Sequence, residues 1–190
     1  MFNGSRDKNS PETLADGTKW FAIFAILAFL AVVVYMPIVR HFIQPAYWDG
    51  LGVVPVVMMA EMFMGMYFNF SFWYKLNDQT WWGAVMNVIG AAVMIGVNIA
   101  LVPKIGYWAC AWGGFAGYGT AMLLSYFIGQ KKYPINYDMK SIFLFCAAGA
   151  VIFAAYRGLG RLGLSDVLCM VIGTVLLLGY ASLVWKAIKK

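Results

Sequence analysis

The sequence predicts an all-α integral membrane protein with six transmembrane helices. Composition is the first reason: of 190 residues, 63% are hydrophobic and 12% charged, with a mean hydropathy of +0.74. A soluble domain carries about 25% charged residues and about 45–50% apolar ones, and a soluble bundle keeps a polar face on its helices. Distribution is the second reason. Charges gather between apolar runs, and the stretches from Trp81 to Pro103 and from Ile105 to Gln130 hold none. At about 1.5 Å rise per residue, each run crosses a hydrocarbon layer of about 30 Å.

Residues 1–19 form a polar lead of mixed charge with turn signals at Ser10-Pro11 and Asp16-Gly17. Its length and the extended apolar run after it do not fit a signal peptide. Asp16 or Thr18 is a candidate cap for the first span, Trp20–Val39, and Arg40-His41 marks an interface. The connector Arg40–Gly50 brings Pro45, Tyr47 and Trp48, which suit a headgroup-level turn. Span two is Leu51–Tyr74, interrupted by Glu61 alone; Leu76–Thr80 turns the chain and span three follows at Trp81–Val102. Pro103–Gly106 reads as a tight hairpin, so span four, Tyr107–Ile128, is the antiparallel neighbour of span three. Together 20–128 make a four-helix part, 129–140 a basic loop, and 141–190 a terminal helix pair with a basic tail. Span five, Ser141–Tyr156, is short, with Lys140 and Arg157 placed to snorkel; a glycine-rich turn over Arg157–Asp166 leads to span six, Val167–Trp185.

Six spans put both ends of the chain on one side. Ten Lys and Arg residues fall on that side and four, Arg40, Lys104, Arg157 and Arg161, on the other. The positive-inside rule makes the richer side cytoplasmic, with anionic headgroups rather than nucleic acid as the partner of the net charge of +6. Cys110, Cys146 and Cys169 lie inside apolar runs without metal-ligand or disulfide spacing. The methionines around Met58–Met66 suit adaptable packing, and His41 sits at an interface without catalytic companions. No metal, cofactor or enzyme signature emerges, since no carboxylate cluster, phosphate loop or nucleophile–base set is present in the pattern.

Several residues inside the spans stand out. Glu61 is the ionisable side chain deepest within a span, and at mid-membrane such a group costs roughly 2.5–3.5 kcal/mol unless it faces protein or water. It reads as a proton or cation coupling group or as a hydrogen-bonded helix contact; Asn69 lies to the side of its face. Asn87 and Asn98, eleven residues apart, return to within about 20° of one another around the helix, with Ala91 and Met94 on the same face. They read as the wall of a hydrated cavity or as interhelical hydrogen bonding worth about 0.6 kcal/mol each. Span four carries a ladder of small residues, Ala109, Gly113, Gly117, Ala121 and Ser125, which admits close approach by another helix, within this chain or from a partner.

Five segments occur in an order that resembles polysaccharide flippases of the multidrug/oligosaccharidyl-lipid/polysaccharide exporter superfamily. Asn69–Leu76 (NFSFWYKL) is similar to the family's Asn-Leu-Ser-x-Trp-Tyr-Lys-Leu segment, and Leu101–Tyr107 (LVPKIGY) to its Ile-Pro-x-Tyr-Gly hairpin, with Ile105 at the usual Tyr. Ala109–Trp112 (ACAW), Ser125–Gln130 (SYFIGQ) and Tyr133-Pro134 complete the order. The resemblance implies the last six helices of a two-lobe transporter of about fourteen, whose N-terminal lobe is the missing partner. It implies translocation of undecaprenyl-diphosphate-linked oligosaccharide across a bacterial inner membrane by alternating access, for O-antigen or other lipopolysaccharide and surface polysaccharide biosynthesis. A lipid-linked oligosaccharide, membrane lipids and polysaccharide polymerase machinery are then the expected partners, and the chain alone is expected to be inactive. On that resemblance Arg40 would attract the diphosphate, Asn87 and Asn98 would meet sugar, Glu61 would couple transport to an ion gradient, and Asn69 is a further substrate or coupling candidate. The competing reading is a stand-alone membrane scaffold or assembly subunit that associates through the span-four ladder.

Overall fold

The computed structural model describes residues 10–161 and 165–188, and every regular element among them is helical. In chain order these are α1 (Ser10–Val34), α2 (Met36–His41), a 3-10 segment (Pro45–Val53), α3 (Val54–Phe70), α4 (Phe72–Leu76), α5 (Trp81–Ile105), α6 (Trp108–Lys132), α7 (Met139–Arg161) and α8 (Asp166–Ile188). Five stretches are long and apolar enough to cross a membrane: Pro11–Val34, Pro45–Leu76, Trp81–Ile105, Met139–Gly160 and Asp166–Lys186. They suggest a multi-pass membrane protein.

The expected fourth span is not among the five. It forms as α6, but Gly113, Gly114, Gly117 and Gly119, with Tyr118, Thr120 and Ser125, lower its hydropathy. Its position explains the composition: α6 packs against both α3 and α5, and eight of its residues are buried, most of them glycine or alanine. Where a helix packs closely against two neighbours it needs small residues at the contact, while Trp112, Leu123 and Phe127 of α6 stay exposed.

Several expected boundaries move. α1 begins at Ser10, two turns before the expected cap, and neither Asp16 nor Thr18 caps it. Thr18 is fully buried and its Oγ1 donates to the Leu14 carbonyl one turn back (2.8 Å), a bond internal to the helix. α1 ends at Val34, and Arg40-His41 belong to the short α2 that Pro37 opens at a position where its missing N–H costs nothing. Pro103 lies inside the last turn of α5, not in the hairpin, and the α5–α6 turn is only Gly106-Tyr107. Gly106 has φ +57, a conformation that favours glycine, and its N–H closes the helix on the Val102 carbonyl. α6 continues to Lys132, which shortens the expected 129–140 loop to residues 133–138. α7 runs past the expected end of span five to Arg161; of the glycine-rich turn, residues 162–164 lie outside the described residues, as do residues 1–9 and Lys189-Lys190.

Contacts divide the chain into two compact units, drawn differently from the expected split between 20–128 and 141–190. One holds the chain up to Phe21 together with Val53–Asp138, the other Ala22–Gly52 and the chain from Met139 onward.

The first unit is a bundle centred on α6. Asn98 lies over Gly113 and Met94 over Gly117, so residue numbers on α5 fall as those on α6 rise, and the two helices are antiparallel as expected. Ala60 faces Gly114, Phe63 meets Phe115 (4.9 Å between rings), and Trp73 covers Gly129, so α3 and α6 run in the same direction. Phe21 of α1 seats on Gly65 of α3, and Lys19 pairs with Asp138 at 3.0 Å.

The second unit packs the later part of α1 with α7 and α8. Ile26 seats on Gly149 and Phe29 on Phe153 (5.3 Å), while Val34 covers Gly173. The Tyr156 hydroxyl donates to the Val34 carbonyl (3.1 Å), and the hydroxyls of Tyr35 and Thr174 lie 3.2 Å apart. Phe145 meets Tyr180 edge-on, which with Tyr156 beside Gly173 makes α7 and α8 an antiparallel pair.

Candidate functional site

The first unit carries four of the five sequence-predicted site residues. α3, α5 and α6 enclose an open cleft of about 90 Å³ lined by Met64, Asn87, Gly90, Ala91, Met94, Gly117, Tyr118 and Ala121. Its floor is set by Gly90 and Gly117, whose backbones are in contact: a Cβ built on Gly117 would lie 2.7 Å from the Gly90 carbonyl oxygen. Glycine at both positions is what allows the two helices to approach so closely. Asn87, Ala91 and Met94 share this cleft, as their helical spacing predicts.

Asn87 is exposed and lines the cleft, and the Tyr67 hydroxyl is buried. Tyr67 reaches the Tyr74 hydroxyl (3.2 Å) and donates to the Gly83 carbonyl (3.4 Å). Asn98 lies farther along α5, pressed onto Gly113, with its Oδ1 buried and without a hydrogen-bond partner. The two asparagines therefore share a helix face but not a compartment: one edges the cleft and the other is wedged between helices.

Asn69 is not aimed at a cavity. Its Nδ2 donates to the Gly65 carbonyl (2.9 Å), one turn back along its own helix. Arg40 belongs to the other unit, where its guanidinium stacks over the Trp48 ring at 4.2 Å and the Trp48 Nε1–H is held by the Ile43 carbonyl (2.9 Å). An arginine fixed on an indole is an interfacial anchor that still presents its N–H edge.

Glu61 is exposed in the middle of α3, and none of the described residues hydrogen-bonds or ion-pairs with it. It is one of a stripe of exposed side chains on that helix, treated further below.

The small-residue ladder of α6 is internal. Ala109, Gly113, Gly117, Ala121 and Ser125 are all buried, with α5 over Gly113 and Gly117. Of the two partners left open by the sequence, the structure gives the one within the chain, and the ladder offers no free face to a second protein.

Residues to which the sequence assigned no site role form an aromatic lock at one end of this bundle. Trp73 is fully buried, covers Gly129 and donates its Nε1–H to the Ser125 carbonyl (3.2 Å). Phe70 meets Tyr126 (5.2 Å) and Tyr137 (5.0 Å), and the Gln130 amide donates to the Ile135 carbonyl (2.7 Å). Lys132 places its ammonium 4.5 Å from the Trp82 ring and 6.0 Å from that of Trp73. The break between α3 and α4 falls at Ser71, buried with its Oγ on the Phe68 carbonyl (2.6 Å). A sequence signal was available in Gly83 and Gly90 of α5, seven residues apart on one face; the first makes room for the Tyr74 ring and the second for Gly117 and Ala121 of α6. Among the described residues no group of three or more His, Cys, Asp or Glu could hold a metal ion.

No protein-family model, curated protein or solved structure matches the chain.

Proposed function

We propose that this chain is the C-terminal part of a membrane flippase that moves undecaprenyl-diphosphate-linked oligosaccharide across the bacterial inner membrane, with both ends of the chain cytoplasmic. The observation that carries the reading is the spatial meeting of the resembling segments. Asn69–Leu76 supplies Phe70 and Trp73, and Ser125–Gln130 supplies Tyr126 and Gly129, on which those rings pack. Segments far apart in sequence thus serve one contact, which gives a physical reason for their recurring together.

On this reading α6 is a sixth span, packed on α3 and α5 along its small-residue face and turning Trp112, Leu123 and Phe127 outward, and the chain is not an enzyme. Arg40 supplies a cation at the membrane surface for a diphosphate, Asn87 edges a polar cleft suited to hydroxyl-rich cargo, and Glu61 is the coupling carboxylate. Asn69 and Asn98 act within the helices, since the one bonds its own backbone and the other is wedged against Gly113. The ladder-mediated scaffold reading is the weaker one because α5 already covers the ladder.

The test is gradient-driven transfer of a labelled lipid-linked oligosaccharide in proteoliposomes holding the intact transporter. Transfer is expected with the native protein and is expected to fall to the protein-free background with Glu61→Gln. Absence of transfer by the native protein would overturn the flippase reading; undiminished transfer by the variant would remove Glu61 from coupling.

A further inference from the structure

The geometry points to a helix-docking stripe on α3 and α4, formed by Val57, Glu61, Phe68, Phe72 and Lys75, whose occupant is a membrane-spanning helix with a hydrogen-bond donor or cation at the depth of Glu61. The spacing of four, seven, four and three residues keeps these side chains on one side of the helix. All five are exposed, Phe68 by 50%. Phe21 seats on Gly65 in the middle of the stripe and leaves its neighbours open.

An apolar stripe alone would be content in lipid. Glu61 is what makes lipid a poor occupant, because a carboxyl group in hydrocarbon lacks the donors that water would supply. No described residue supplies one. The basic residues of this chain flank its spans, so a second copy related by a two-fold axis along the membrane normal would set Glu61 against Glu61 and bring no cation to it. Charge complementarity therefore favours a different helix bearing Lys, Arg or an amide. At the other end of the stripe Lys75 lies over the rings of Phe72 (5.3 Å) and Phe68 (5.8 Å), which fixes an aromatic ledge at the headgroup level against which the incoming helix can stop.

The proposal rests on the membrane reading but not on transport, and its test is blind to flipping. The full chain, carrying a donor fluorophore, is reconstituted in phosphatidylcholine vesicles with acceptor-labelled single-span Leu/Ala peptides. These carry a central Lys, a central Gln or no polar residue. Energy transfer is expected to show the Lys peptide associating about tenfold more tightly than the wholly apolar one, with Gln between them. Glu61→Leu is expected to erase that difference, and the isosteric Glu61→Gln to erase the preference for Lys over Gln; helicity by circular dichroism checks that each variant is folded. Equal binding of all three peptides, or an unchanged Lys preference in Glu61→Gln, would overturn the proposal. So would Glu61-dependent energy transfer between two differently labelled copies without peptide, which would assign the stripe to self-association.

Discussion

Tyr137 shows how a single side chain outside the membrane segments ties the fold to pH. Burial, and secondarily the neighbouring Tyr126, push its hydroxyl from 10.0 up to about 12. The fold therefore holds the protonated phenol. That contribution is complete below the ordinary value and is lost as pH climbs through the raised one, because in that window the unfolded chain has already released its proton. Tyr137→Phe keeps the ring beside Phe70 and Tyr126. It is expected to flatten the alkaline fall of the thermal midpoint between pH 10 and 12, the window set by the hydroxyl's two values. A fall as steep as in the native chain would show that another group titrates there. Glu61 teaches a different lesson at this scale: its oddity was legible from the sequence, but its exposure was not, since that depends on which neighbours α3 acquires.

Among the helices, the α5–α6 contact concentrates the packing constraint in backbone atoms. A methyl group on Gly117 would meet the Gly90 carbonyl oxygen at 2.7 Å, and neither backbone can step aside. Gly117→Ala is therefore expected to cost about 1–3 kcal/mol. Gly96 of the same pair has nothing within 4 Å of its missing methyl. Gly96→Ala is expected to be neutral or to gain up to about 1 kcal/mol from helix propensity. Reversible denaturation in detergent compares the two; equal losses would mean that glycine matters to α5 and α6 for some reason other than approach. The existence and order of these helices could be read from the uncharged runs, because a bilayer demands length and apolarity of each span separately. Their ends could not. Ser10–Lys19 is polar enough to pass for a lead, yet Ala15 and Thr18 are buried and keep it helical. Pro103 looked like a turn residue, yet it sits inside the last turn of α5 and the chain reverses only at Gly106. The inward direction of the α6 ladder was equally hidden, since it is decided by glycines on another helix.

At the level of the whole molecule, the proposed cytoplasmic placement of both ends rests on the side on which lysine and arginine accumulate. In a background with Cys110, Cys146 and Cys169 replaced, Lys186→Cys is expected to react with an impermeant maleimide only after spheroplasts are opened. Arg40→Cys is expected to react from outside. The opposite pattern would invert the orientation. Contacts group the later part of α1 with α7 and α8 rather than following chain order, an arrangement no local signal announces. The two-residue turn at Gly106-Tyr107 and the interlocked glycines of α5 and α6 also bear on biogenesis. A helix as glycine-rich as α6 gains little by partitioning alone from the insertion machinery into lipid, whereas α5, uncharged from Trp81 to Pro103, partitions readily. If α6 is the sixth span proposed above, it is expected to enter the bilayer as the passenger of α5, the two threading in as one hairpin during synthesis.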